Sequence, residues 1–347
     1  MPSVVQFTGP RQVELAEVPA EPVGPGEVRV RTRFSGISAG TELTAYRGTN
    51  PYLTRTWDPE RKLFTGERAE AAPRYPLVGW GYSEAGQVVE VGADVSGLRP
   101  GDPVWGIWGH RSEAVLPAAK VRAVPDGVTL LAASFARVGA VALNAVLAAQ
   151  ANLGELVAIF GQGVIGLLAT QLCGCAGVEV IAVDTLPARR AAAAKAGALL
   201  ALDPAAEDVA ERVREANGGA GADVVIELSG SHPALQEAIR TVGPGGRVVA
   251  AGFYQGEGIG LRLGEEFHHN RVELVSSQIG GVPGRLAGRW DQPRLNEVFL
   301  RQCARGTVDP AALVSHLLPP SRVGQAYELL DTDPGAALQI VLDFEQE

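Results

Sequence analysis

Cysteine is scarce in this chain: three occur among 347 residues, Cys173, Cys175 and Cys303. Three cysteines make neither a disulfide framework nor a four-cysteine zinc site. Cys173 and Cys175 fall at the end of an apolar helical pattern, which favours small buried residues over a redox pair. We therefore expect neither a disulfide-stapled fold nor a structural zinc lobe.

Blocks of positive charge and long apolar runs are missing as well. The formal net charge is -9 and the pI is about 5.2, so a nucleic-acid or anionic-membrane partner is not expected. The first residues show no basic segment followed by an apolar one, and no stretch reaches about 18 uninterrupted apolar residues. These absences predict a cytoplasmic protein without a nucleic-acid or membrane partner. The length suits about two domains.

One stretch, residues 156–184, carries a recognisable order of elements. An apolar run at 156–160 is followed by an apolar helical pattern and then by a β-rich run at 178–183 that ends in Asp184. Three glycines in G-x-G-x-x-G register lie between the first run and the helix: Gly161, Gly163 and Gly166. A strand, a glycine turn, a helix and a parallel strand, with an acid about 20 residues further on, predict a dinucleotide site.

Each part of this stretch has a physical role in binding a dinucleotide. Gly161 permits the tight turn, Gly163 lets the backbone approach a pyrophosphate, and Gly166 lets the helix pack close to the strand. The pyrophosphate then lies on the free N–H groups at the positive end of the helix dipole. Asp184 is placed to accept hydrogen bonds from the adenosine ribose, where it would repel a 2′-phosphate. We therefore predict NAD rather than NADP.

Two arginines after the second strand favour the other cofactor. Arg189 and Arg190 stand where an arginine can bind a 2′-phosphate. The alternative is that both are solvated residues at the start of a helix over 188–196. We favour the solvated alternative because Asp184 is present.

Hydrophobic periodicity predicts the rest of the fold. Residues 1–37 and 85–124 show strand patterns, and 129–149 shows a helical pattern broken near Val138–Gly139. Beyond residue 184, helices alternate with strands, which predicts an α/β fold with a doubly wound parallel sheet. Residues 48–76 form a polar excursion without clear periodicity, and a loop that long is usually functional or mobile.

With these pieces in place, the chain resembles the medium-chain dehydrogenase/reductase family, the superfamily of zinc-type alcohol dehydrogenases and quinone oxidoreductases. The resemblance rests on motifs along nearly the whole chain: Gly36, the turn at 97–104, the Gly161 loop, and residues 221–225, 245–249 and 326–330. It implies a GroES-like β-rich catalytic domain (1–142), a Rossmann NAD-binding domain (143–291) and a C-terminal return to the catalytic domain (292–347). It also implies an active site in the cleft between the domains and a homodimer or homotetramer.

The zinc ligands of metal-containing members are not found. Ser38 stands where those members have a cysteine, and residues 79–82, Gly-Trp-Gly-Tyr, replace their Gly-His-Glu motif. The third ligand position falls near Val141 or Arg137, and neither is a plausible ligand. Tetrahedral zinc requires N, S or carboxylate ligands, so we predict a zinc-independent protein. Residues 285–291 resemble a bacterial zinc-lacking subgroup of the family.

Without zinc, oriented hydrogen-bond donors must stabilise a developing alkoxide or enolate. Ser38 and Thr41, in the turn that would hold the metal, are the first candidates; alternatively one of them caps the short helix that follows. Glu42 is either a proton acceptor or a favourable charge in a first helical turn.

Further candidates come from the replaced ligand segment and from nearby loops. The Tyr82 hydroxyl donates to a carbonyl if it points inward, while Trp80 walls the pocket; packing is the alternative role for both. His110 is either a proton shuttle near neutral pH or a loop histidine in water. Asn144 lies on the helix that the resemblance aims at the nicotinamide, where its amide would bind substrate.

The resemblance also implies contacts with the cofactor. Ile165 would back the nicotinamide ring, residues 228–230 would border the adenine, and 252–253 with 277 and 279 would contact the nicotinamide side. The positions carried over in this way are Val164, Ile165, Leu228, Ser229, Gly230, Gly252, Phe253, Ser277 and Ile279.

These residues predict hydride transfer between NAD(H) and an alcohol or carbonyl substrate. One alternative is a quinone or enone reductase using NAD(P)H, against which Asp184 counts because quinone reductases mostly use NADPH. An alternative of another class is a non-catalytic nucleotide-binding protein, as some crystallin-like relatives are.

Overall fold

The computed structural model describes residues 1–66 and 74–346, which form two compact units. The first comprises Met1–Arg137 and the chain from Ala311 onward, and the second is Val138–Pro310. The boundaries therefore lie at 137/138 and 310/311, rather than at the predicted 142/143 and 291/292.

The first unit is rich in β-structure. Its main sheet has the strand order 121–123, 103–106, 84–91, 27–36, 339–343 and 314–318, and the strand 113–117 also pairs with 27–36. The strands of this unit are Ser3–Gly9, Gln12–Glu17, Glu27–Gly36, Thr56–Asp58, Leu63–Thr65, Leu77–Val78, Glu84–Val91, Pro103–Gly106, Glu113–Pro117, Val121–Ala123, Val314–Leu318 and Gln339–Asp343. Its α-helices are Glu42–Arg47, Leu130–Ser134 and Val323–Thr332, and its 3-10 helices are Pro51–Leu53, Ala118–Lys120, Ala311–Leu313 and Pro320–Arg322.

Alternation in the sequence explains how the first unit builds its core. In Glu27–Gly36, Val28, Val30 and Thr32 are buried while their neighbours face outward. On the other side of the unit, Tyr327 lies edge-on to Phe7, with ring centroids 5.2 Å apart. A helix from the end of the chain is thereby packed on the first strand.

Residues 48–76 contain more regular structure than their sequence indicates. A 3-10 helix, Pro51–Leu53, is followed by a hairpin of Thr56–Asp58 and Leu63–Thr65. Strands of three residues are too short to show periodicity, which explains why no pattern is visible. Residues 67–73 of this predicted excursion lie outside the described residues.

The second unit is built on a six-stranded parallel sheet. Its strand order is 200–202, 179–183, 156–160, 222–227, 242–250 and 273–276. The strands are Leu156–Phe160, Glu179–Val183, Leu200–Leu202, Ala222–Glu227, Val242–Ala250 and Glu273–Ser276. The helices are Ala136–Ala149, which begins in the first unit, Val164–Cys175, Pro187–Lys195, Val209–Ala216, His232–Thr241, Glu266–His269, the 3-10 turn Gly284–Leu286 and Gln292–Ala304. The predicted class, a doubly wound parallel sheet together with a separate β-rich domain, is confirmed.

The helical region before the glycine loop is broken at Phe135, and the predicted break near Val138–Gly139 is wrong. Gly139 lies inside Ala136–Ala149. A Cβ built at Gly139 would lie 2.3 Å from ring atoms of Phe299. The glycine therefore makes room for an aromatic ring of Gln292–Ala304, and this contact places that helix in the second unit.

Two further predictions concern membrane-spanning helices and the three cysteines. No helix of the described part is long and apolar enough to cross a bilayer. The three cysteines are free: Cys173 is buried as expected, but Cys175 is exposed, so the expectation of two buried residues holds for only one of them.

Candidate active site

The glycine loop has the close contacts that its spacing predicts. Gly161 has a φ of +85°, and a Cβ there would lie 2.6 Å from the backbone nitrogen of Ser229. A Cβ at Gly166 would lie 1.9 Å from the Gly161 oxygen. At Gly163 the space is open, with the nearest heavy atom, Nη1 of Arg189, 4.0 Å away. The loop therefore leaves room for a ligand only at its middle glycine, where the helix headed by Val164 and Ile165 begins.

Asp184 is built into this loop. Its carboxylate accepts hydrogen bonds from the backbone N–H of Gln162 at 2.7 Å and of Leu186 at 2.8 Å. The side chain is buried. Each carboxylate oxygen can nevertheless accept a hydrogen bond from a second donor. Asp184, the residue predicted to bind the ribose, thus also holds the glycine loop in place.

Arg189 and Arg190 lie in the first turn of the helix Pro187–Lys195, where both are partly exposed and both contact acidic groups. Arg190 donates to the backbone oxygen of Asp184 at 2.9 Å and forms an ion pair with Asp203 at 2.9 Å. Arg189 lies 3.9 Å from the Asp184 carboxylate and borders the open space at Gly163. Only Arg189 therefore faces the predicted pyrophosphate position.

Glu227, which the sequence patterns do not single out, joins the segments predicted to contact the cofactor. At the end of its strand it accepts from the backbone N–H of Ser229 at 2.7 Å and of Gly230 at 3.1 Å. The hydroxyls of Ser229 and Tyr254 also donate to its carboxylate. Burial raises the pKa of Glu227, and these hydrogen bonds only partly offset that effect. The signal in the sequence that could have identified Glu227 is an acid near the end of the apolar strand pattern at 223–228.

The predicted adenine and nicotinamide segments meet around Glu227. The backbone N–H of Gly252 donates to the Glu227 carbonyl at 2.9 Å. A Cβ at Gly252 would lie 2.2 Å from the nitrogen of Gly230. Phe253, next in the chain, is 43% exposed, so it is available to a ligand.

Asn144 holds the loop that carries the remaining nicotinamide positions. Its amide donates to the carbonyl of Gly281 at 3.0 Å and of Gln278 at 3.4 Å. Ser277 and Ile279 belong to this segment. Because Asn144 is only 2% exposed, the structure gives it a contact with the loop rather than with bulk solvent.

In the first unit, the predicted catalytic residues fall into two connected groups. Ser38 and Tyr82 form the first, with their hydroxyl oxygens 2.5 Å apart. The backbone N–H of Thr41 points to the Ser38 hydroxyl at 3.4 Å. Thr41 makes no side-chain cap of the helix Glu42–Arg47, so the cap alternative is wrong for this residue. Trp80 packs partly buried in the core, 6.2 Å from Phe7.

The second group is a buried chain of hydrogen bonds through Glu42 and His110. Nε2 of His110 lies 2.7 Å from Glu42, and Nδ1 lies 2.6 Å from the Ser35 hydroxyl. The Tyr327 hydroxyl donates to Glu42 at 2.5 Å. Both Glu42 and His110 are 0% exposed, so the alternative of a loop histidine in water is wrong.

Electrostatics favour a charged His110. Burial lowers its pKa, but attraction by Glu42, the hydrogen bond to Glu42 and attraction by Glu84 together outweigh burial and raise it above 6.5. Burial raises the pKa of Glu84, and attraction by His110 only partly offsets this. As an imidazolium, His110 donates through both ring nitrogens. The Ser35 hydroxyl can then donate onward to Glu84, 3.3 Å away.

The two groups are joined at the Ser38 turn. The backbone N–H of Ser38 donates to the other oxygen of Glu42 at 3.0 Å. Glu42 therefore touches Ser38 on one side and His110 on the other. The buried pair of Glu42 and His110 fixes the backbone of the Ser38 turn, and the Ser38 hydroxyl is left to form a hydrogen bond with Tyr82.

Comparison with known proteins assigns this architecture to a family. A family model described as zinc-binding dehydrogenase matches residues 164–292. The D-guloside 3-dehydrogenase of Shigella flexneri is 30% identical over 346 residues, covering 97% of this chain and 98% of that protein. The chain belongs to the medium-chain dehydrogenase/reductase family. The predicted family is thereby confirmed.

Similarity to other proteins also extends along most of the chain. The L-galactonate-5-dehydrogenase of Escherichia coli K12 is 26% identical over 336 residues, covering 88% of each protein. The crystal structure of ECK1772 from Escherichia coli, an oxidoreductase/dehydrogenase of unknown specificity, superimposes with a TM-score of 0.81 at 21% identity, covering 99% of each chain. That structural likeness shows the fold. The relatives support an alcohol dehydrogenase-like oxidoreductase with a nicotinamide cofactor.

The residues present fit a dinucleotide but not a tetrahedral zinc ion. The open space at Gly163 and the Asp184 carboxylate suit a pyrophosphate and a ribose. In the segments where the family resemblance expects metal ligands stand Ser38, Gly79-Trp80-Gly81-Tyr82, and Val141 or Arg137. None of these side chains is a usual zinc ligand. In residues 1–66 and 74–346, no group of three or more His, Cys, Asp or Glu side chains is arranged to hold a metal.

Proposed function

We propose that the protein is a zinc-independent, NAD(H)-dependent dehydrogenase that interconverts a secondary alcohol and a ketone on a sugar or sugar acid. In this proposal the glycine loop of the second unit would hold the cofactor, and Ser38 and Tyr82 of the first unit are the candidates for acting on the substrate oxygen. A cytoplasmic location and a homodimeric or homotetrameric assembly stay predictions.

The observation that carries the cofactor proposal is the position of Asp184. Two backbone donors hold its carboxylate at the end of Glu179–Val183, next to the open space at Gly163. A fixed carboxylate favours ribose hydroxyls and repels a 2′-phosphate. Arg189, 3.9 Å away, then serves the pyrophosphate of NAD rather than the extra phosphate of NADP.

The substrate class is proposed from the named relatives. D-guloside 3-dehydrogenase and L-galactonate-5-dehydrogenase are named for substrates that are polyhydroxylated. Both names place the reaction at an internal carbon, which carries a secondary hydroxyl. The similarity to the first covers 97% of this chain, so it includes the predicted substrate residues as well as the cofactor loop.

A cofactor titration tests the NAD proposal. We expect NADH to bind more tightly than NADPH, measured by the change in nicotinamide fluorescence. Asp184→Ala should weaken NADH binding by roughly tenfold to hundredfold, because hydrogen bonds to a charged group are lost, and should bring the two affinities together. Asp203→Ala, which removes a neighbouring carboxylate paired with Arg190, is the matched control and should keep the NADH preference. Tighter binding of NADPH by the wild type would contradict the proposal.

Measurements of turnover and of metal content test the proposed substrate class and the proposed zinc independence. Wild-type protein should reduce NAD⁺ with at least one of methyl D-guloside, other methyl hexosides, L-galactonate or simple polyols, followed at the NADH absorbance. Activity should persist after dialysis against a zinc chelator. Turnover of none of these compounds would point to the non-catalytic alternative, and one tightly held zinc per chain in elemental analysis would refute metal independence.

A further inference from the structure

Ser38 contacts Tyr82 from a separate part of the first unit, and the charge of Arg137, from a third part, acts on the same phenol. Ser38 comes from the turn after Glu27–Gly36, Tyr82 from the segment before Glu84–Val91, and Arg137 from the start of Ala136–Ala149. The Ser38 and Tyr82 hydroxyl oxygens are 2.5 Å apart, and the guanidinium of Arg137 acts electrostatically on the phenol. A phenol, a hydroxyl and a cation thus stand in or near the segments that the family resemblance associates with metal ligands.

We propose that Tyr82 is the catalytic residue that exchanges a proton with the substrate oxygen, and that Ser38 and Arg137 stabilise its phenolate. This inference rests on the proposed dehydrogenase function and deepens it. Among the predicted acid–base candidates of this unit, Tyr82 is half-buried. Glu42 and His110 are each 0% exposed and paired with one another, so they cannot touch a substrate without breaking that pair.

The surroundings of Tyr82 suit a group that changes charge during turnover. Burial raises its pKa, and the negative charge of Glu42 adds to this effect. Hydrogen bonds from the side chains of Ser38 and Thr41 and the positive charge of Arg137 lower it. The net pKa lies above the ordinary value of 10, so Tyr82 is a neutral phenol at pH 7 and can donate its proton. Three groups nevertheless stabilise the phenolate that remains.

The reaction balances without a metal. In the reductive direction, bound NADH would be the source of the hydride that the carbonyl carbon takes up. Tyr82 gives its phenolic proton to the carbonyl oxygen as the C=O π bond breaks, so the product is an alcohol and Tyr82 is left as a phenolate. Ser38 donates a hydrogen bond to that phenolate, Arg137 offsets its charge, and a proton from solvent restores the phenol. Oxidation of the alcohol runs through the same steps in reverse, with the Tyr82 phenolate accepting the hydroxyl proton.

Ser38 itself is held for this role. Its backbone N–H donates to Glu42 at 3.0 Å, and Glu42 is fixed by His110 at 2.7 Å and Tyr327 at 2.5 Å. These three are positioning residues that act through the Ser38 turn. Their burial keeps the turn rigid while Tyr82 changes its protonation state.

Kinetics of Tyr82→Phe test the catalytic role on the panel of glycosides, sugar acids and polyols. Loss of a general acid should lower kcat by roughly 10²- to 10⁴-fold, with NADH affinity unchanged. Tyr75→Phe, which also removes a hydroxyl that donates to a partner in this unit, should keep kcat and reports on folding. In the wild type, kcat for oxidation should rise with pH up to the raised pKa of Tyr82, and this rise should be absent in Tyr82→Phe. Equal kcat values and pH profiles for Tyr82→Phe and an active wild type would overturn the role of Tyr82, whereas an inactive wild type would overturn the proposed function itself.

A titration independent of turnover tests the neighbours. The phenolate of Tyr82 is followed by its ultraviolet absorbance as the difference between wild type and Tyr82→Phe. Ser38→Ala and Arg137→Met should each shift this titration to higher pH, because each removes stabilisation of the phenolate. Ser38→Thr, which keeps the hydroxyl, should restore the wild-type midpoint. Unchanged midpoints in both Ser38→Ala and Arg137→Met would overturn the proposed roles of these two residues.

Discussion

His110 and Glu42 form a hydrogen-bonded pair, 2.7 Å apart, in which neither side chain is exposed to solvent. The carboxylate also accepts from Tyr327 and from the backbone of Ser38, so its acceptor capacity is satisfied inside the protein. Such a pair contributes most when both members are charged, and breaking it leaves an unpaired buried charge.

The stability of the first unit should therefore depend on pH through His110. Because the folded-state pKa of His110 is raised above 6.5, its contribution is fully present below about pH 6.5 and is lost as the pH rises through the folded value. His110→Gln should lower the free energy of unfolding by about 3–5 kcal/mol at pH 6 and by less at pH 9. Denaturant titrations at both values measure this, and His268→Gln, an exposed histidine, is the control. A loss that is equal at pH 6 and pH 9 would argue against a charged pair.

Arg189 and Arg190 are adjacent but should differ in function. Arg189 borders the open space at Gly163, whereas Arg190 is engaged by Asp203 and by backbone carbonyls. We expect Arg189→Ala to weaken NADH binding by roughly tenfold with little change in melting temperature. Arg190→Ala should lower the melting temperature and leave NADH affinity nearly unchanged. The reverse pattern in fluorescence titration and thermal unfolding would show that Arg190 is the residue facing the cofactor.

The contact between Glu227 and Tyr254 should connect stability with cofactor affinity. Tyr254→Phe removes one donor to a fully buried carboxylate, and the loss should be about 1.5–3 kcal/mol in the free energy of unfolding. NADH affinity should fall at the same time, because Gly252 and Phe253 lose one attachment to the segment of Ser229. Calorimetry combined with NADH titration measures both. Unaltered affinity in a destabilised variant would mean that the two segments are not involved in binding.

Two helical glycines give a paired test of packing. A Cβ at Gly139 would lie 2.3 Å from the Phe299 ring, while at Gly174 no heavy atom lies within 4 Å. Gly139→Ala should destabilise the protein by about 1–3 kcal/mol through overpacking. Gly174→Ala should stabilise it by about 0.5–1 kcal/mol through backbone entropy and helix propensity. If both substitutions stabilise, the Phe299 ring must be able to move aside.

Local patterns predict those elements of the fold that are long enough to show a periodicity or a motif. The alternation in Glu27–Gly36 and the spacing of Gly161, Gly163 and Gly166 each depend on neighbouring residues, and both interpretations agree with the structure. The sequence leaves open a loop histidine in water for His110, because the partners of His110 are far away in the chain. Glu42 is 68 residues distant and Ser35 is 75 residues distant.

The same reason explains the remaining differences. The break assigned near Gly139 was an interpretation of a glycine in a helical pattern, and only the distant Phe299 shows why the helix continues through it. The partners of Glu227 lie on segments whose approach depends on the parallel sheet. The ion pair of Arg190 with Asp203 was not predicted, because Asp203 follows the next strand of that sheet. Charge pairs and close packing across elements are set by topology, which periodicity does not specify.

The strand Gln339–Asp343, which lies between Glu27–Gly36 and Val314–Leu318, imposes an order on biosynthesis. Every residue of the second unit leaves the ribosome before this strand does. All six strands of the parallel sheet are therefore available while the main sheet of the first unit still lacks Gln339–Asp343. Tyr327 and Glu42 are 285 residues apart, and at about 5–20 residues per second this interval takes roughly 15–60 s to translate. During that time Tyr327 has not been made, so Glu42 lacks the hydrogen bond from the Tyr327 hydroxyl. Until Gln339–Asp343 is also made, Glu27–Gly36 lacks this neighbour in the main sheet.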